Sequence, residues 1–112
     1  MLTIDKLNQF GAKVDEGLGR CMNNEMFYFR LIGMAVEDAA FSSLEESLKN
    51  NDLDAAFNAA HTLKGALGNL ALEPIYRPVV ELTELLRNKT PGDYDALLKT
   101  IKEQRAALKE LI

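Results

Sequence analysis

The sequence predicts an all-α fold, a bundle in which helices adjacent in the chain pack antiparallel. Three observations carry that expectation. No run of β-branched residues alternates with polar ones, so strands have no signal. Apolar residues recur instead at three- and four-residue spacing along most of the 112 residues. The segments between these runs are short and polar, so each helix must fold back on the one before it. At this length the chain can build one core but not two, and a single domain spanning 1–112 is expected.

The elements follow in order. A short helix over Ile4 to Phe10 ends at Gly11. Val14 to Met22 is a weaker helix, interrupted by Gly17 and Gly19. Asn23 or Asn24 can cap the next, which begins at Glu25 and runs to about Val36. Phe41, Leu44 and Leu48 mark a further helix that stops at Asn50-Asn51-Asp52. Asn51 or Asp52 starts a long helix with Leu53, Ala56, Phe57, Ala60, the stem of Lys64, Leu67 and Leu70 toward the core. After Leu72-Glu73-Pro74 another helix aligns Ile75, Val79, Leu82, Leu85 and Leu86. Its start is open: either Pro74 opens it and Pro78 kinks it, or it begins near Pro78. Thr90-Pro91-Gly92-Asp93 reads as a restart, Thr90 the cap and Pro91 the first helical residue. The last helix aligns Tyr94, Leu97, Leu98, Ile101, Leu108 and Leu111.

Composition narrows the function classes. A formal net charge of −4, with no basic stripe, argues against a general nucleic-acid binder. The single cysteine, Cys21, excludes an internal disulfide and suits a reducing compartment. No leader-like segment follows Met1 and no stretch is long enough to span a bilayer, so no membrane role and a cytoplasmic address are expected. One His and one Cys, far apart in sequence, cannot make a structural zinc or haem site; no metal site and no cofactor are expected. No oxyanion-hole motif supports a Cys21–His61 nucleophile pair, and no glycine-rich loop after a strand could cradle a nucleotide. An autonomous ATP-dependent kinase therefore has nowhere to hold its substrate.

The informative stretch is His61-Thr62-Leu63-Lys64-Gly65-Ala66-Leu67-Gly68. His61 lies about 110° from the centre of its helix's apolar stripe, on the shoulder rather than within it. Two glycines inside a helix each cost roughly 1 kcal/mol relative to alanine. Gly65 and Gly68 fall within about 40° of His61 around the axis, so they are expected to strip side chains from the surface beside the imidazole. Many lone histidines are ordinary surface residues; this one sits in a clearing that a large molecule could approach. Neutral imidazole is a nucleophile near pH 7 and can hold a phosphoryl group transiently. Lys64, one turn on, can place its ammonium beside phosphoryl oxygens. These parts suit receipt and passage of a phosphoryl group.

Ala60 to Leu70 resembles the signature of histidine-containing phosphotransfer (HPt) domains of bacterial two-component phosphorelays. That pattern is a His, a Lys three later, a Gly four later and a small residue seven later, matched by His61, Lys64, Gly65 and Gly68. Gly17-Leu18-Gly19-Arg20 followed by Tyr28 to Leu31 is similar to the lead-in of single-domain members. The resemblance implies an elongated bundle with an antiparallel four-helix core plus short N-terminal helix or helices. It implies that His61 is phosphorylated, from an aspartyl phosphate on a response-regulator receiver domain or on the receiver of a hybrid sensor histidine kinase. Such modules are phosphocarriers rather than enzymes, and Mg²⁺ would sit on the partner receiver. A monomer is expected.

A side chain from the following helix orients the imidazole or its phosphoryl group in some members of that family. With the intervening turn centred near Glu73, residue 61 lies level with about residue 85, which makes Thr83 and Arg87 the candidates. Most of Met26-Phe27-Tyr28-Phe29 reads as core; the remainder, with Ile32, Met34 or Phe41, can form an exposed apolar patch that docks a receiver helix. The competing class is a helical adaptor that binds receiver or kinase domains without accepting phosphate. A nucleophile flanked by helix-weakening glycines speaks for the carrier. A dimerisation bundle would need an exposed seam; the last helix offers one, but a bundle core accounts for it equally well.

Overall fold

The computed structural model describes residues 1–112 and contains seven helices and no strand. They are α1 (Ile4–Phe10), α2 (Val14–Arg20), α3 (Glu25–Val36), α4 (Ala40–Lys49), α5 (Leu53–Asn69), α6 (Glu73–Arg87) and α7 (Tyr94–Leu111). Side-chain caps start five of them. Thr3, Asn24, Asp52 and Asp93 each accept the amide three residues on, and Asp38 takes the Ala40 amide at 2.8 Å. Left-handed residues close the links between the long helices: Asn51 after α4, Ala71 after α5 and Lys89 after α6, with φ of 55°, 56° and 49°.

α5 packs between α4 and α6, and α7 packs on α6 and reaches α3. Pairs across the seams run in opposite chain directions. Asp54 meets Lys89 at 3.6 Å, Glu45 meets Lys102 at 2.8 Å and Glu37 meets Lys109 at 3.1 Å. The result is an antiparallel four-helix core, α4–α7, elongated to 39 × 23 × 20 Å overall. Arg105 completes the α7 seam. Its Nε donates to the Val36 carbonyl at 2.7 Å, and its guanidinium lies 4.6 Å over the Phe41 ring. The core is continuous with α1–α3: Leu7, Tyr28 and Ile32 belong to the same buried cluster as Leu44, Leu67 and Ile101.

The structure settles the open start of α6 and revises two of the expected positions. α6 begins at Glu73, with Pro74 in its first turn and Pro78 inside it. Only the bond that a residue-78 amide would make to the Pro74 carbonyl is lost, close to an end where amides are unpaired anyway. Thr90 is not the α7 cap; α7 starts at Tyr94, and the Asp93 carboxylate takes the Ala96 amide at 2.9 Å, leaving Pro91 in the link. Gly17 does not break α2. It lets α2 approach: a Cβ there would stand 2.5 Å from the Leu70 carbonyl oxygen and 2.6 Å from the Tyr28 hydroxyl.

Candidate functional site

α5 carries His61 in its middle third, fully helical on either side and exposed to solvent. Ala56, Ala60, Leu63 and Leu67 bury the opposite face and lock the rotation of the helix, which turns His61, half-buried Lys64 and Gly65 outward. Neighbouring hydroxyls are engaged elsewhere. Thr62 donates to the Asn58 carbonyl at 3.0 Å and Thr83 to the Val79 carbonyl at 2.6 Å. The imidazole is left with its ring against Phe57, centroids 5.8 Å apart at 44°. Lys64 enters no ion pair.

The residues expected around His61 divide. A Cβ at Gly65 would meet nothing within 4 Å, so the surface beside the imidazole is open there. Gly68 differs: a Cβ would stand 2.7 Å from Cε1 of Tyr76, whose ring lies across the helix at that point. Its missing side chain makes room for α6 rather than for a visitor. Thr83 is the one buried polar residue, 0% exposed with its hydroxyl bonded along its own helix, and it does not reach the imidazole. The cause is the rotation of α6, which turns residue 83 inward alongside Val79 and Leu86, even though the register brings it to the level of His61. Gly68 against Tyr76 and Phe57 against Arg87 centre the α5–α6 turn on Leu72 rather than Glu73. His61 is then level with residue 83, which faces the core.

Arg87 does reach the site's edge. Its guanidinium lies 5.1 Å over the Phe57 ring and 3.5 Å from Glu84, so Arg87, Phe57 and His61 form a row. Phe57, which periodicity assigns to the core, is half-buried at this rim. Nothing in a single helix's spacing distinguishes a core phenylalanine from one that a neighbouring arginine covers. Tyr76 is a site neighbour that the sequence reading passes over; the one signal for it is an aromatic across the hairpin from a helical glycine.

On the other flank, Leu31, Met34, Ala35 and Asp38 meet Ala66, Asn69 and Leu70 in a shallow, mostly apolar depression of about 250 Å³. Met34 is 64% exposed and Met26 77%, whereas Ile32 and Phe41 are buried and leave any surface patch. Between α4 and α5 runs an open groove of about 600 Å³ with small polar walls, including Ser43, Ser47, Asn58 and Thr62. The histidine therefore stands on a broad, shallow face, a shape that suits a macromolecule better than a small ligand. No group of His, Cys, Asp or Glu side chains is placed to hold a metal ion, and no helix is long and apolar enough to cross a membrane.

Comparison with known proteins assigns the family. No curated protein and no solved structure matches the chain. A family model, the Hpt domain, matches residues 36–111, which takes in all of α4–α7 and the helix that bears His61. With two thirds of its length covered by that match, the chain belongs to the Hpt domain family, the phosphocarrier domains of phosphorelays.

Proposed function

We propose that this protein accepts a phosphoryl group on His61 from the aspartyl phosphate of a receiver domain and passes it to a second receiver. The observation that carries this reading is an exposed imidazole with no hydrogen-bond partner in the chain, beside an unpaired Lys64 and the open surface at Gly65. In the forward step an imidazole nitrogen attacks phosphorus in line, a P–N bond forms, and the P–O bond to the partner's aspartate breaks. The carboxylate leaves with the electron pair. The Lys64 ammonium offsets charge on the phosphoryl oxygens in transit, and the metal that receiver chemistry uses stays with the partner. Onward transfer is the same step reversed.

The Leu31, Met34 and Ala66 depression and the Arg87–Phe57 row flank His61 on opposite sides and form the proposed docking face. Residues 1–35, outside the family match, are in this reading part of the same domain, because their apolar side chains share its core. Incubation with a phosphorylated receiver should place one acid-labile, base-stable phosphoryl group on the chain. His61→Gln should abolish the label without altering the fold, and Lys64→Ala should slow labelling by roughly tenfold. A His61→Gln variant that labels as fast as the parent removes the assignment. Receiver binding without labelling of the parent would make the protein an adaptor instead.

A further inference from the structure

The N-terminal third of the chain takes hold of the end of the histidine helix. The last carbonyls of a helix lack the usual helical partners; at the end of α5 the Gly68 carbonyl takes the Ala71 amide at 3.1 Å, and the end is held further from α2 and α3. Arg20 Nη1 donates to the Gly68 carbonyl at 2.7 Å and to the Asn69 carbonyl at 3.2 Å. The Tyr28 hydroxyl donates to the Leu70 carbonyl at 2.9 Å, and the Lys13 amide to the Ala71 carbonyl at 2.9 Å. Four consecutive carbonyls are thus held by residues that the family match does not include. Gly17 lets α2 come this close, since any side chain there would strike Leu70 and Tyr28.

We propose that Arg20 is a positioning residue for phosphoryl transfer, acting on Lys64 through the last turns of α5; this rests on the phosphotransfer reading above. In an α-helix the Gly68 amide bonds back to the Lys64 carbonyl and the Gly65 amide to that of His61. The segment joining the two functional side chains to the helix end therefore holds both helix-weakening glycines. Left to itself that segment would fray from its C-terminus. Arg20 opposes the fraying by bonding the two terminal carbonyls and placing a cation at the negative end of the helix dipole. Lys64 then keeps a fixed place relative to the imidazole, and Arg20 itself touches neither the phosphoryl group nor the partner.

The test compares Arg20→Ala, Arg20→Gln and Arg20→Lys with the parent in two reactions and one exchange measurement. One reaction uses a saturating phosphorylated receiver. The other uses phosphoramidate, where the imidazole forms the P–N bond and ammonia leaves, so no docking is involved. For Arg20→Ala we expect amides of residues 66–70 to exchange about tenfold faster while those of α7 do not change. Both phosphorylation rates should fall by about threefold, less than on removal of Lys64 itself, with the half-saturating receiver concentration shifted less than about twofold. Arg20→Lys should restore most of both, and Arg20→Gln serves the same comparison should the alanine variant fail to fold. Faster exchange with undiminished phosphorylation would make Arg20 a helix cap only and overturn the proposal, as would unchanged exchange. A parent protein that accepts phosphate from neither donor overturns the phosphotransfer reading itself, an outcome distinct from a variant that works as well as an active parent.

Discussion

Gly65 and Gly68 sit three residues apart on one helix and do different work. Beside Gly65 there is open space, whereas Gly68 lies under the Tyr76 ring with 2.7 Å between Cε1 and any added Cβ. A methyl group at 68 must push the ring from its seat, losing aromatic packing that outweighs the better helix propensity of alanine. Gly68→Ala should therefore lower stability by about 1 kcal/mol or more. In a Tyr76→Ala background the obstacle is gone, and the same substitution should raise stability by up to about 1 kcal/mol. Denaturant melts on all four members of the cycle read the sign change. Equal effects in both backgrounds would show that the ring is not what makes residue 68 a glycine. Open access beside the imidazole is then a property of Gly65 alone.

Helix ends show how local chemistry picks one cap among several candidates. Thr90 and Asp93 both suit the start of α7, but only the Asp93 carboxylate accepts an α7 amide, at 2.9 Å from Ala96. Asp93→Ala should cost about 1 kcal/mol in a thermal melt, and Thr90→Ala much less. The reverse order would restore Thr90 as the cap. The periodicity of apolar residues made the helices and the exposure of His61 legible, because facing the core is a property of each helix by itself. Register between helices was not legible. It depends on the α5–α6 link, where Ala71 adopts φ of 56°, which a non-glycine residue rarely does, and the contacts of Gly68 with Tyr76 and of Phe57 with Arg87 set His61 level with residue 83 rather than 85. Arg20's role was hidden for a similar reason: its partners are backbone carbonyls 48 and 49 residues away, which leave no side-chain signature.

Across the whole molecule, Tyr28 ties the N-terminal helices to the centre of the bundle. Burial, reinforced by the neighbouring Cys21, pushes its phenol from 10.0 up to about 12. Unfolding returns it to water, where it loses its proton near 10.0, while the folded chain holds the proton to about 12. The tie should thus contribute fully below pH 10.0 and be lost as pH rises toward about 12. Melts between those limits should show Tyr28→Phe, which has no proton to lose, declining less steeply than the parent; parallel declines would refute this. The chain's sulfur is arranged with a consequence for oxidative chemistry. Cys21 is shielded in the interior, while Met1, Met22, Met26 and Met34 are all exposed, so the thioethers are the atoms a peroxide meets first. Each sulfoxide would add a polar oxygen where water already is, disturbing no packed layer. Oxidation would leave the bundle folded and rewrite only its outside, including the rim that Met34 shares with Ala66 and Leu70 of the histidine helix.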